Sequence, residues 1–245
     1  MSTAIAISNL VQLADTGDAT SYATASYTPT ANLLIIAVVV NTKGTTPDTP
    51  TLSGNGLTWV QVATVTFDSI AAPTARLTLF RAMGAAPSAG ALTADFAGAT
   101  QTSGQIYVSE FSNINTGGTN GSAAVVQSAT NRSDSIAAGA YLTVALGSFA
   151  DPANATFAVY CMTPNTTMAA GQNFTQQWYN GVATPGINTM TENASGGGDL
   201  TTAFEQNGDG SAHPMGGIAI EIANVTDPTA GGGGGRLILS GIGIN

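Results

Sequence analysis

Charged side chains are scarce in this sequence. Only 8% of its 245 residues are charged, and five Lys or Arg against fourteen Asp or Glu give a net charge of −9. An average soluble domain has roughly 25% charged residues. Binding to a nucleic-acid backbone needs clustered positive charge, so the composition excludes a nucleic-acid partner. The surface must be covered mainly by hydroxyl, amide and small side chains.

Cysteine and histidine each occur once, as Cys161 and His213. A single cysteine excludes an internal disulfide framework, and the two residues are too few for a structural zinc site. The apolar surroundings of Cys161 predict a buried, inert thiol. His213 lies among Gly, Asp and Pro, which predicts a surface loop. The sequence therefore offers no catalytic residue, no cofactor-binding residue and no metal ligand.

Long apolar runs are absent as well. The longest, Leu33–Val40, has eight residues, whereas a membrane-spanning helix needs about 20. The opening residues, Met1–Asp18, contain neither Lys nor Arg and no sustained apolar block, unlike a secretory signal. We therefore expect no membrane partner, and a chain made in the cytoplasm without a signal peptide or exported by a route that the sequence does not display.

The chain is nevertheless rich enough in apolar residues, at 43%, to build a sizeable core. No window has the i, i+3, i+4, i+7 spacing of an amphipathic helix. Short segments rich in Val, Ile, Thr, Tyr and Phe alternate with turn residues, which predicts an all-β protein. The predicted strands are Ala4–Leu13, Leu33–Asn41, Thr58–Phe67, Ala75–Ala82, Leu92–Phe96, Gln105–Phe111, Ala123–Ser128, Tyr141–Phe149, Thr156–Met162, Phe174–Tyr179, Ile187–Thr191, Leu200–Phe204 and Gly217–Ile222.

Four segments of the first half have counterparts in the second half. The pairs are Ala31–Val38 with Gly139–Leu146 and Leu92–Phe96 with Leu200–Phe204 at an offset of 108, Glu110–Ile114 with Glu221–Val225 at 111, and, more loosely, Leu57–Trp59 with Phe174–Trp178. Matches at so long a period predict an internal duplication of a complete β-sandwich domain, Ig-like or jelly-roll-like. The alternative is chance similarity from the biased Ala, Thr and Gly composition.

The duplication divides the chain into two tandem domains and an arm. Copy one is predicted over residues 1–116 and copy two over residues 117–228, with the boundary in the polar stretch Asn113–Gly121. Residues 229–245 hold five consecutive glycines and a short apolar, β-prone segment. Such an arm suits addition to a sheet edge of a neighbouring subunit, or folding back on its own domain. The predicted assembly residues of the arm are Arg236, Leu237, Ile238, Leu239, Ile242 and Ile244.

Two pairs of residues are candidates for a catalytic or a sugar-binding site. Glu110 and Glu221 are equivalent in the two copies, so we expect them to be far apart and structural, unlike the paired carboxylates of a glycosidase. Trp178 and Tyr179 precede an Asn-Gly turn signal. They are the candidate surface platform on which a sugar ring could stack. Trp59, inside a predicted strand, is expected to pack in the core.

In overall character the sequence resembles virion surface proteins of tailed bacteriophages, such as head decoration (cement) proteins and fibre or spike modules. The shared features span the chain: few charges, a duplicated all-β pattern, no export signal after Met1, no catalytic constellation and an apolar tail on a glycine tether. The resemblance implies a non-enzymatic virion structural protein without cofactors. Because shaft-like repeats are absent, it favours capsid decoration.

The partners implied by this resemblance are other copies of the chain, as a homo-oligomer, or a major capsid or tail protein. The alternative function is that of a carbohydrate-binding adhesin or tail-fibre module that recognises host glycans. An enzyme acting on glycans is the least supported class, because the sequence has so few His, Lys and Arg residues.

Overall fold

The computed structural model describes residues 3–149, 151–163, 168–170, 174–180, 186–192, 201–206 and 211–225. Every regular element in these ranges is a β-strand, which confirms the all-β prediction. The strands are β1 (Ala6–Asp15), β2 (Ser21–Ala23), β3 (Leu34–Thr42), β4 (Thr51–Ser53), β5 (Val60–Phe67), β6 (Ala75–Ala82), β7 (Thr93–Asp95), β8 (Ser103–Ser112), β9 (Val125–Ile136), β10 (Tyr141–Ala145), β11 (Ala155–Met162), β12 (Met168–Ala170), β13 (Thr175–Asn180), β14 (Gly186–Glu192), β15 (Thr201–Gln206) and β16 (His213–Ile222).

Each predicted strand overlaps an observed one. The strands that the sequence did not indicate are β2, β4 and β12, each three residues long. A strand this short is too brief to establish a period-two pattern, so periodicity cannot reveal it. β9 is longer than predicted because its polar second half pairs with the apolar β16.

The strands form two five-stranded and two three-stranded antiparallel sheets. In the first half the orders are β1-β8-β3-β6-β5 and β2-β7-β4, and in the second half they are β9-β16-β11-β14-β13 and β10-β15-β12. The same order thus occurs twice, with each strand of the first half matched by the strand eight positions later. The register agrees too, since Glu110 pairs with Ile35 of β3 as Glu221 pairs with Thr156 of β11.

This correspondence agrees with two of the four sequence matches and corrects the other two. Leu57–Trp59 ends before β5, whereas Trp178 follows the bulge inside β13 as Ala63 does in β5. Ala31–Val38 covers β3, but Gly139–Leu146 covers β10, which occupies the place of β2. The counterpart of β3 is β11. The apolar residues of β10 alternate with exposed ones, whereas β3 and β11 are buried on both faces, so composition alone misaligned them. That the repeat arose by duplication stays a prediction.

The two five-stranded sheets pack face to face and share one apolar core. At its centre the rings of Phe111 and Phe157 lie nearly perpendicular, with centroids 5.5 Å apart. Alternate residues of β3 and β11, such as Ile36 and Val159, enter this core from opposite sides. The intervening residues face outward into a second cluster in each half, beneath the three-stranded sheet. The molecule is therefore a stack of four layers.

The edges of the two stacked sheets are also joined. Asn9 of β1 donates to the carbonyl of Gln177 in β13 (3.0 Å), and Arg132 of β9 donates to the carbonyl of Thr66 in β5 (2.9 Å). Because β1 corresponds to β9 and β5 to β13, the two edges are equivalent. A pseudo-two-fold axis running along the strands generates this arrangement.

One end of the molecule, the linker end, brings together Thr3–Ala4, Asn113–Asn115 and Ala223–Val225. The amide of Asn115 donates to the carbonyl of Ala223 (3.0 Å), and that of Val225 donates to the carbonyl of Asn113 (3.1 Å). The side chains of Asn113 and Asn224 donate to the carbonyls of Ala4 and Thr3, both at 2.8 Å. These bonds tie the start of the first half, the link between the halves and the last described residues into one junction.

The opposite end, which we call the cleft end, is where β3 finishes at Thr42 and β8 begins at Ser103. β11 runs in the same direction as β3, because both strands start beside the linker end. β11 therefore also finishes at the cleft end. The turns between strands at this end come from both halves. Among the described residues at the cleft end, no backbone hydrogen bond joins a turn of one half to the equivalent turn of the other.

Candidate functional site

The cleft end holds an open cleft of about 640 Å³ between the two halves. This volume is within the roughly 300–1,000 Å³ typical of small-molecule sites, which favour interfaces between domains. Six of its described lining residues carry a side-chain hydroxyl group. They are Thr16, Thr42, Thr74, Thr102, Ser103 and Thr163. Three ionisable residues, Lys43, Asp68 and His213, also line it, and Gly44 and Pro214 complete the described lining.

Three of these hydroxyls form a connected row. The Thr42 hydroxyl lies 2.8 Å from that of Thr102 and 2.6 Å from that of Ser103. The row exists because Thr42 and Ser103 are directly paired at the ends of β3 and β8. A hydroxyl can donate once and accept twice, so the exposed Thr102 can bond to Thr42 and to a ligand at the same time.

Lys43 is held in place by an ion pair. Its Nζ donates to Asp48 Oδ2 at 2.6 Å, and Gln101 Nε2 donates to the same oxygen at 2.9 Å. The two donors, Lys43 first, hold the pKa of the Asp48 carboxyl below its usual value. Gln101 is itself fixed by the buried amide of Asn41, 2.8 Å from its Oε1. The positive charge on this wall is therefore balanced and positioned.

Asp68 joins the two halves at the floor of the cleft. One carboxylate oxygen accepts from the hydroxyl of Thr74 in the first half, and the other accepts from that of Thr163 in the second. Its backbone has a φ of 87°, a conformation rare for a residue with a side chain. The preceding Phe67 is fully buried, and a Cβ on Gly216 would lie 2.7 Å from its ring, so close packing holds this turn.

Known proteins do not identify this chain. No family model matches its sequence, and neither a curated protein nor a solved structure is similar to it. The cleft must therefore be judged by its own chemistry.

His213 is not in a surface loop, so that prediction is wrong. It begins β16, pairs with Ile136 of β9 and is only 8% exposed. The β9–β16 ladder reaches four residues further toward the cleft end than the apolar segment beginning at Gly217 indicated. His213 thus becomes part of the cleft wall rather than of a solvent-exposed turn.

Trp178 and Tyr179 do not present their rings on one surface. Trp178 packs against the shared core: its Nε1 donates to Ser109 Oγ at 2.9 Å, and its ring centroid is 5.9 Å from that of Tyr107. Tyr179 is 39% exposed. Neighbouring residues in a strand point to opposite faces, so the pair cannot form a flat sugar platform. Trp59 lies just before β5, partly buried against the outer cluster of the first half.

Glu110 and Glu221 support the start of the central strands, which agrees with a structural role. Glu110 accepts from the amide (3.0 Å) and hydroxyl (3.1 Å) of Thr30, ahead of β3. Glu221 accepts from the side-chain amides of Asn154, ahead of β11, and Gln127, both at 2.6 Å. The two carboxylates lie on separate outward faces of the stack, so they cannot act on one substrate.

Cys161 is completely buried in the shared core, and burial raises the pKa of its thiol. We expect a thiol-reactive disulfide reagent at pH 8 to label the native protein at least a hundredfold more slowly than the urea-unfolded chain, because the thiolate is the reacting species. Labelling followed by absorbance measures both rates. Equal rates in the two states would contradict this burial.

The predicted arm residues, Arg236 to Ile244, lie outside the described residues, as does the rest of residues 226–245. Within the ranges that the structure covers, no group of three His, Cys, Asp or Glu side chains is placed to hold a metal ion. No helix in those ranges could cross a membrane.

Proposed function

We propose that the protein is a non-enzymatic structural protein of a virion, a head decoration protein that attaches to a capsid shell through its C-terminal segment. The observation that carries this proposal is the junction at the linker end. Ala223–Val225 are fixed there by backbone hydrogen bonds to the link between the halves. The chain beyond Val225 therefore starts from one defined end of the body, as an attachment arm requires.

The shared core supports the same proposal. Because the two five-stranded sheets pack on one another, the halves form a single stiff body rather than two independent domains joined by a linker. A stiff body can make several modest contacts at fixed spacing, and such contacts add through effective concentration. Lasting attachment to a repetitive shell then needs no chemically special site.

The low charge of the chain indicates how the attachment is made. With 8% charged residues, the arm and the strand edges must bind chiefly by burying apolar surface and pairing backbone groups. An association of this kind depends little on ionic strength, unlike one made by opposed charges. We therefore expect assembly to persist at high salt.

Removing residues 231–245 is expected to abolish self-association and leave the body folded. Light scattering should give an oligomeric mass for the full chain and a monomeric mass for the truncated one, while circular dichroism and the melting temperature stay unchanged. The double variant Leu237→Asp with Ile238→Asp keeps the full chain length and should lose self-association as the truncated chain does. An oligomer that survives both changes, or a full-length chain that is monomeric, would refute attachment by the arm.

A further inference from the structure

The cleft end and the linker end are opposite ends of one stiff body. If the C-terminal segment attaches the linker end to a capsid shell, the cleft faces away from the shell, toward the surface that the virion contacts. This orientation rests on the proposed function, whereas the chemistry of the cleft does not. The walls of the cleft come from both halves, so its shape depends on the shared core.

We propose that this cleft binds a neutral carbohydrate of one or two sugar units. The row of Thr42, Thr102 and Ser103 hydroxyls lines this cleft, together with the Asp68 carboxylate and His213. Sugar hydroxyls both donate and accept, and so do the groups of this row. The carboxylate adds strong acceptor sites, since its two oxygens have lone pairs beyond those used by Thr74 and Thr163.

The charges of the cleft argue against an acidic ligand. Lys43, the one lysine or arginine in the described part of its lining, already has Asp48 2.6 Å from its ammonium group. Asp68 adds a negative charge to the same cleft. A phosphate, sulfate or sialic acid would therefore meet a carboxylate without gaining a free cation. The cleft also favours no metal ion, because its described lining has a single carboxylate.

Two substitutions test the site without disturbing the core. Thr102→Val removes a hydroxyl of the row at an exposed position. Asp68→Asn keeps the size of the side chain and suits the positive φ, but removes the charge. Thr119→Val is the matched control, since it changes an exposed threonine in the segment that follows Asn115 at the linker end.

The full-length protein should be applied to an array of neutral, sialylated and sulfated oligosaccharides, and the strongest ligand titrated by calorimetry. We expect a neutral oligosaccharide to bind, with affinity lowered at least tenfold in Thr102→Val and Asp68→Asn and within twofold of the parent in Thr119→Val. All variants should keep the parent melting temperature within a few degrees.

Three outcomes would overturn the proposal: no neutral oligosaccharide bound above background, binding confined to acidic ones, or binding unchanged in both cleft variants. Loss of the C-terminal residues 231–245 should leave sugar binding intact. Failure of the arm to mediate assembly and failure of the cleft to bind sugar are therefore separate results.

Discussion

Replacing Phe157 with alanine is expected to lower the free energy of unfolding by about 3–5 kcal/mol. Its ring is 1% exposed and packs edge-to-face on Phe111 across the boundary between the halves. Truncation would leave a cavity among β-strands of two sheets, which can collapse only if the whole stack shifts. Urea unfolding, extrapolated to water, measures the loss.

The same variant tests whether the halves unfold together. The chain has two tryptophans, Trp59 in the first half and Trp178 in the second. Trp178→Phe leaves fluorescence to report on the first half alone, and in that background Phe157→Ala should still lower the urea midpoint. Phe96→Ala, at a residue equally buried but inside the first half, is the matched control. A first half insensitive to Phe157→Ala would mean that the halves are independent.

Replacing Glu221 with alanine is expected to cost about 2–4 kcal/mol of stability, against roughly 1 kcal/mol for Glu110. Both carboxylates accept two hydrogen bonds at equivalent places, but Glu221 is fully buried whereas Glu110 is partly exposed. Removing Glu221 takes the carboxylate acceptor away from the buried side-chain amide of Asn154. A buried donor that loses its acceptor costs about 1–3 kcal/mol in addition to the lost charged hydrogen bond. Around Glu110, water can replace the lost partner of Thr30.

Thermal and urea unfolding of the two alanine variants measure this difference. Glu221→Gln should fall between the parent and Glu221→Ala, because the amide oxygen can still accept one bond. Equal losses at Glu110 and Glu221, or a larger loss at Glu110, would contradict the assignment of their burial.

The long strands were visible in the sequence because burial leaves a pattern in the chain. β3 is a continuous apolar run because both of its faces are covered. The sequence segments of β8 and β16 match because Glu110 and Glu221 each accept hydrogen bonds from residues that precede a central strand. The short strands of the outer sheets leave no such pattern. The face-to-face stacking of the halves could not be predicted either, since it depends on which of two apolar faces meets a partner.

The cleft could not be found from spacing. Thr42, Asp68, Thr102 and His213 are far apart in the chain and become neighbours only through the strand order. Once that order is known, the signal is that each lies at a strand end on the same side. Trp178 shows the converse: its Asn-Gly turn signal is local in the sequence, but Ser109, which accepts a hydrogen bond from its indole, is 69 residues away.

The junction at the linker end makes the order of the two halves along the chain interchangeable. Thr3 and Val225 both bond to the Asn113–Asn224 junction, so the ends of the body lie beside the link that joins its halves. A circularly permuted chain, joined across these ends and opened between Asn115 and Thr119, would keep every strand pairing. A segment attached to the new chain ends would still leave the body at the linker end, so attachment from this end would survive a change in the order of the halves.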